Sequence, residues 1–245
     1  MKLSSIWQLT LNNLLPPRCL RCGEDVFESQ SLCHQCWTKL NFISTPQCRC
    51  CGWPFEFAAD DQHLCGHCLR LPPLFTQARA VFRYDEGIKP LILRFKHSDA
   101  LDLVPRLSSW MVETGEKADL FSSTTALIPV PLHWRRLFLR RYNQASLLAQ
   151  AIFHKTGIPC NTSWLRRKRA TPSQGAYNWQ QRFANVRGAF QVPTSKKNAV
   201  QGSRILLVDD VFTTGATLSE CARTLLNQGA VEVRVLTLAR VIGTF

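Results

Sequence analysis

The sequence predicts an α/β protein: a mostly parallel sheet with helices between its strands, preceded by a small metal-held module. Three observations carry this. Apolar runs of strand length alternate with helical patterns through the last two-thirds of the chain. Eight of the eleven cysteines form four C-x-x-C pairs before residue 69. The length of 245 residues, 45% of them hydrophobic, suits one sizeable α/β domain plus a small module.

The opening MKLSSIWQLTLNNLLPP has one Lys and no continuous apolar stretch of secretory length, so it does not read as a signal peptide. Leu3, Trp7, Leu11 and Leu14 recur at helical spacing, and Pro16-Pro17 ends the run. This predicts a short amphipathic helix packed on the protein, with contact to a membrane surface as the weaker alternative. No run reaches transmembrane length, and the chain is expected to be cytoplasmic.

The pairs are Cys19/Cys22, Cys33/Cys36, Cys48/Cys51 and Cys65/Cys68. Two thiolates at this spacing grip one tetrahedral Zn²⁺ from a tight knuckle, and two knuckles complete a four-cysteine site. Gly23 and Gly52 follow two of the pairs, as such turns require. The competing disulfide framework needs an oxidising compartment, and no export signal is present. Two closed, structural zinc sites are expected. Sequential pairing puts Cys19, Cys22, Cys33 and Cys36 on one metal and Cys48, Cys51, Cys65 and Cys68 on the other; interleaved pairing stays open. Cys50 is left as a spare thiol, and His34, His63 and His67 are not needed as ligands.

LRLPPLFTQA, with Pro72-Pro73, marks an extended boundary between a head at 1–70 and a body at 71–245. In the body, ARAVFRYD predicts a strand. GIKPLILRFKHS and LDLVPRLSSWMVETG predict helices, each with a proline near its start. TALIPVPL predicts a buried strand, and NQASLLAQAIFHKTG a helix with Ala145, Leu148, Ala149 and Ile152 on one face. AFQV is a candidate short strand, and RILLVDD a buried strand ending at Asp210. TLSECARTLLNQGA is a helix with Leu218, Cys221, Ala222, Leu225 and Leu226 inward and Gly229 closing it. VEVRVLTLAR is the last strand.

The formal net charge is +13, and it is unevenly placed. From Leu120 to Val208 the chain has 14 Lys or Arg and no Asp or Glu, while the remainder is close to neutral. A field of one sign over so long a segment favours phosphate-bearing ligands over a merely solvated face.

That segment ends at two adjacent acids, Asp209 and Asp210, followed by VFTTGAT and a helix. Ligands of open parallel sheets bind beyond the carboxyl ends of strands. The free N–H groups of a helix N-terminus favour a phosphate. Thr213, Thr214 and Thr217 add hydroxyl donors, and Gly215 lets the backbone come close. The two carboxylates repel phosphate but suit sugar hydroxyls or Mg²⁺. A ligand with a phosphate at one end and a diol in the middle satisfies both parts. A receiver domain would carry its acids near the domain start, and a Walker B strand would need an upstream phosphate loop that is absent.

Residues 205–217 resemble the signature of type I phosphoribosyltransferases. The resemblance implies phosphoribosyl pyrophosphate as ligand, with Mg²⁺. It puts Asp209 and Asp210 on the ribose hydroxyls and Thr213, Thr214, Gly215, Ala216 and Thr217 around the 5′-phosphate, with Val211 also at the ligand. Two further stretches, IPVPLHWRRLFLRRYNQASLLAQAI and LRRKRATPSQGAYNWQQRFANVRGAF, together with the double C-x-x-C head, resemble the ComF (competence protein F / GntX-like) family over nearly the whole chain. This implies a type I phosphoribosyltransferase-like domain behind a double zinc ribbon. Arg135, Arg136, Arg140 and Arg141 would then face the pyrophosphate. TPSQGAYNWQQR would be a mobile hood contributing Gln174, Tyr177 and Arg182, and Lys96 would precede a second loop. One departure stands out. Family members commonly read R-G-F-N-Q where this chain reads RRYNQ, so a glycine at positive φ there would leave Arg141 strained.

Two functions of different class follow. One is phosphoribosyl transfer to a nitrogen nucleophile with pyrophosphate leaving, stabilised electrostatically. The other, implied by the family, is an accessory role in uptake or use of external single-stranded DNA alongside other DNA-uptake proteins. The basic segment interleaved with Trp134, Tyr142, Trp164, Tyr177 and Trp179 suits single-stranded DNA, with core packing as the competing role for those rings.

Overall fold

The computed structural model describes residues 16–60, 62–97, 100–134, 137–138, 141–170 and 179–243. The predicted helix at Leu3 to Leu14 lies outside them.

In chain order, the helices and strands are α1 (His34–Trp37), α2 (Gly66–Arg70), β1 (Gln77–Arg83), α3 (Lys89–His97), α4 (Val104–Lys117), β2 (Ala126–Pro129), α5 (Gln144–Thr156), β3 (Arg166–Arg167), α6 (Trp179–Val186), β4 (Phe190–Gln191), α7 (Lys197–Val200), β5 (Arg204–Phe212), α8 (Ala216–Leu226) and β6 (Glu232–Arg240). The main sheet has the order β1-β6-β5-β2, and every pairing in it is parallel. The central strands are the ones with continuous branched runs, because both their faces are covered. Ile205, Leu206, Leu207 and Val208 are all buried.

Local chemistry explains the element ends. Asn143 caps α5 by accepting from the Ala145 N–H at 3.1 Å, and Gly157, at φ 74°, ends it with its N–H on the Phe153 carbonyl. Pro105 falls in the first turn of α4, where its missing N–H has no intrahelical partner to lose.

Alternation along β5 divides the core in two. Leu206 and Val208 face a cluster built with α3, α4 and α5, including Phe95, Leu107, Met111, Leu148 and Ile152. Ile205 and Leu207 face a second cluster with Leu218, Cys221, Ala222 and Leu225 of α8. Each fully buried Leu or Ile contributes about 1.5–3 kcal/mol of transfer free energy. The second cluster also contains Cys48, Cys51 and Cys68 packed with Phe75 and Phe212. The cysteine-rich head therefore shares a core with the sheet.

The head also covers one edge of the sheet. The Ile43 N–H donates to the Val81 carbonyl and the Arg83 N–H to the Asn41 carbonyl, both at 2.8 Å, along β1. On the other edge, Leu127 exchanges bonds with Pro159 and Asn161. Both edges are thus shielded from further strand pairing.

One expectation is corrected. β5 does not stop at Asp210; it runs to Phe212, because β6 still offers pairing partners at Ala239 and Arg240. The acids therefore sit inside a strand. AFQV supplies β4, and its antiparallel partner β3 at Arg166 is an addition that two residues are too few to signal by periodicity.

Candidate functional site

The cysteines gather in two sets, Cys19/Cys22/Cys33/Cys36 and Cys48/Cys51/Cys65/Cys68, with the four Sγ atoms of each set within 4.8 Å of one another. This is the sequential pairing. α1 and α2 create it: each is entered from one cysteine, Cys33 or Cys65, and carries the next, Cys36 or Cys68, one turn later. Four thiolates around one Zn²⁺ at about 2.3 Å lie about 3.8 Å apart, so both sets have the dimensions of a tetrahedral site. Backbone N–H groups of Cys33 and Cys65 point at Cys19 Sγ and Cys48 Sγ, each at 3.3 Å, which stabilises thiolate charge. Both sets could hold zinc. Cys50 instead donates to the Phe75 carbonyl. Cys221 is wholly buried under β5, and burial pushes the Cys160 thiol up to about 11.

Beyond the carboxyl ends of β2, β5 and β6 lies a cavity of about 350 Å³. Its walls include Asp209, Asp210, Val211, Thr213, Gly215 and Thr217 from the β5–α8 junction, and Asn143 and Gln144 from the start of α5. Lys96, Arg167 and Arg182 supply its cations. Strand alternation puts the two acids over different faces of the sheet. Asp210 follows the Leu206/Val208 side and forms an ion pair with Lys96 of α3, Oδ2 to Nζ 3.0 Å. Asp209 follows the Ile205/Leu207 side, and its Oδ1 accepts from the Asp210 N–H at 2.9 Å. Burial, then the neighbouring Asp210 charge, raises the Asp209 carboxyl from 3.8 to about 8; Lys96 and Arg167 pull it partly back.

The RYNQ stretch holds this geometry together. Tyr142 Oη donates to the Phe95 carbonyl at 2.8 Å, and Gln144 Nε2 to the Lys96 carbonyl at 3.4 Å. Asn143 Nδ2 donates to the Val130 carbonyl at 3.1 Å. The end of α3, which carries Lys96, is thereby fixed to the start of α5 and the end of β2. The sequence pattern marked Tyr142 only as an aromatic and gave no role to Asn143 and Gln144.

The turn after β5 is tight. Gly215, at φ 79°, precedes α8, and a Cβ there would lie 2.8 Å from the Phe212 ring. No side chain caps α8, so its first N–H groups are open to an anion. Thr213, Gly215 and Thr217 line the cavity. Thr214 and Ala216 line a second recess on the opposite side of the turn, and the Thr214 hydroxyl is buried there without a hydrogen-bond partner. Arg141 is exposed at φ 65° and is not among the residues lining the cavity. The conditional strain at that position is therefore present. Arg135, Arg136, Arg140, Gln174 and Tyr177 lie outside the described residues.

The acid-free segment reaches the cavity through Arg167 and Arg182. Arg167 packs over the Phe190 ring at 5.3 Å. Arg169 acts elsewhere, donating to the Asn185 and Arg187 carbonyls and so tying the end of β3 to α6. Part of the basic excess is thus structural.

Residues 10–69 match the double zinc ribbon domain family, and residues 145–243 match the phosphoribosyl transferase domain family. Competence protein F of Haemophilus influenzae is 34% identical over 227 residues, covering 91% of this chain and 96% of that protein. DNA utilization protein YhgH of Escherichia coli (strain K12) is 32% identical over 199 residues, covering 80% and 84%. Among solved structures, glutamine phosphoribosylpyrophosphate amidotransferase from Bacillus subtilis is similar with a TM-score of 0.38 and 21% identity, covering 59% of this chain and 30% of that one. Among the described residues, no helix is long and apolar enough to cross a membrane.

Proposed function

The chain belongs to the ComF (competence protein F) family, and from that premise we propose that it binds phosphoribosyl pyrophosphate with Mg²⁺ and acts in the cytoplasm in uptake or utilisation of external DNA. The observation that carries the ligand is one cavity with two acids on one wall and an uncapped helix start behind a glycine turn on another. In this reading the amides of the turn and the hydroxyls of Thr213 and Thr217 hold the 5′-phosphate. Asp209 and Asp210 accept from the ribose hydroxyls, and Arg167 and Arg182 face the pyrophosphate. Mg²⁺, when bound, neutralises the diphosphate and draws on the same acids. The ionised form of Asp209 is the one that accepts, so cation binding and ligand binding assist each other by lowering its proton affinity.

The eight paired cysteines hold two structural zinc ions in a head spanning 1–70, and the body at 71–245 carries the ligand site. The relatives' names, competence protein F and DNA utilization protein, support the DNA-related role. Single-stranded DNA and other DNA-uptake proteins are the partners this role requires.

Calorimetry with phosphoribosyl pyrophosphate and Mg²⁺ tests the site. Binding is expected for the wild-type chain and is lost in Asp209→Asn/Asp210→Asn; equal binding by both would refute the assignment. Pyrophosphate release in the presence of candidate bases, nucleosides and oligonucleotides decides whether the bound ligand is turned over. Salt-dependent retention on single-stranded DNA tests direct contact, and its absence at low salt counts against it.

A further inference from the structure

Arg240, at the end of β6, is 2% exposed, and its guanidinium stays charged at any working pH. A buried charge of this kind needs a counter-charge close by. Among the described residues, no carboxylate forms an ion pair with it. Glu220 lies in the same region, but its carboxylate is held by Arg223, at 2.9 Å from Nε, and by the Gly188 N–H. Arg240 makes three contacts instead. Nη1 donates to the Cys51 carbonyl at 2.7 Å. Its guanidinium carbon lies 5.4 Å from the Trp53 ring and 4.1 Å from the Phe212 ring. Its Nε is buried without a hydrogen-bond partner. Cys51, Cys48 and Cys68 belong to the same core cluster as Phe212, so the second cysteine set is the anionic group at hand. Four thiolates on one Zn²⁺ carry a net charge of −2.

We infer that the second metal site is the counter-ion of Arg240, and that Arg240, through the Phe212 ring, braces the turn at 213–217 from behind. Phe212 is the last residue of β5, and its carbonyl accepts the Val241 N–H at 2.9 Å, next to Arg240. Phe75 meets its ring edge-on at 5.9 Å. The ring fills the space that a Gly215 side chain would need. The left-handed turn at Gly215 therefore rests on a ring held between Arg240 and Phe75. Loss of the metal frees the four cysteines from their common centre and loosens the Cys51 carbonyl and the ring contacts that hold Arg240. The Arg240–Phe212 stack then separates, and the turn loses its support. Arg240 is a positioning residue: it touches no ligand, and it sets the shape of the turn that does. The first cysteine set has no such route, since its neighbour Leu20 packs in the core on the other side of the sheet.

This coupling deepens the proposed ligand role of the 213–217 turn, yet its test needs no ligand. Amide hydrogen exchange of the peptide spanning 213–217 is followed in the full chain while zinc is withdrawn by a chelator and counted with a coloured indicator. Removal of the second site by Cys51→Ser/Cys65→Ser is expected to speed exchange there by about tenfold. Removal of the first by Cys22→Ser/Cys33→Ser leaves it within about twofold. Arg240→Gln is expected to speed both zinc release from the second site and exchange at 213–217, each by about tenfold. Arg240→Lys, which keeps the charge, restores zinc retention. Where a variant fails to fold, stepwise zinc withdrawal from the wild-type chain gives the same reading. Unchanged exchange at 213–217 after the second metal has left overturns the inference, as does wild-type zinc retention in Arg240→Gln. Failure of phosphoribosyl pyrophosphate to bind would remove the proposed function without touching either result.

Discussion

Asp209→Asn should make the ligand-free protein more stable, increasingly so as the pH rises. In the folded chain the Asp209 carboxyl is raised from 3.8 to about 8 by burial and by Asp210. The folded state thus holds this proton more tightly than the unfolded state. Its contribution to stability is complete below about pH 4 and is lost as the pH rises through about 8. Asn resembles the protonated acid and carries no such loss. Between pH 5 and pH 8 the difference spans about three pH units, or about 4 kcal/mol at 1.36 kcal/mol per unit. Asp209 is half-buried rather than enclosed, so solvent relaxation brings this to about 2 kcal/mol. For a chain of this size that is a Tm gap widening by about 4–8 °C. Differential scanning fluorimetry of both proteins from pH 5 to pH 9, with zinc present and Mg²⁺ absent, measures it. A gap that stays constant across this range, or a less stable variant at pH 9, would refute the reasoning that burial and Asp210 together disfavour the carboxylate.

Arg141→Gly removes a left-handed side chain at φ 65° and is expected to stabilise the fold by about 1 kcal/mol, or about 2–4 °C in thermal melts. Gly215→Ala forces a Cβ to 2.8 Å from the Phe212 ring at φ 79°; a loss of about 1–3 kcal/mol in urea unfolding and weaker binding of phosphoribosyl pyrophosphate are expected. Metal analysis of the full chain should return two zinc ions, one for each four-cysteine set, and chelation should lower the Tm because both metals are held by the folded state alone. Leu148→Ala empties a site on the covered face of α5, where Leu148 is fully buried; a cost of about 2–5 kcal/mol in the same unfolding experiment is expected.

Much of the body was legible because its signals are local. The run Ile205 to Val208 has no polar residue, and only a strand covered on both faces tolerates that. The inward set Ala145, Leu148, Ala149 and Ile152 follows from helical spacing alone, and all four are buried. The metal sets were half legible. Spacing identified the pairs, but which pairs meet depends on how α1 and α2 fold back, and that is set by the packing of the head on β1. Hydrophobicity ends β5 two residues short of Phe212. Strand pairing depends on backbone, and β6 provides it through Arg240 whatever the side chains at Asp209 and Asp210.

The contacts that give the candidate site its shape are the ones the sequence hides most completely, since they join residues far apart in the chain. In LRFKHSD the resemblance marks Lys96 only as the residue before a second loop. In the fold it meets Asp210, and its own backbone is anchored by Gln144. Arg240 looked like the last residue of a strand. In the fold it is a buried guanidinium between Cys51 and Phe212. The two cations divide the work across the sheet. Lys96 stands on the α3–α5 side and offsets the Asp210 charge at the cavity wall. Arg240 stands on the opposite side, among the cysteines, and supports the turn that follows the acids. The pair Asp209-Asp210 is therefore tolerable in a strand interior for a reason that neither residue nor its neighbours in sequence reveals. One acid is matched by a lysine from a distant helix, and the other stays largely protonated until a ligand or cation changes its surroundings.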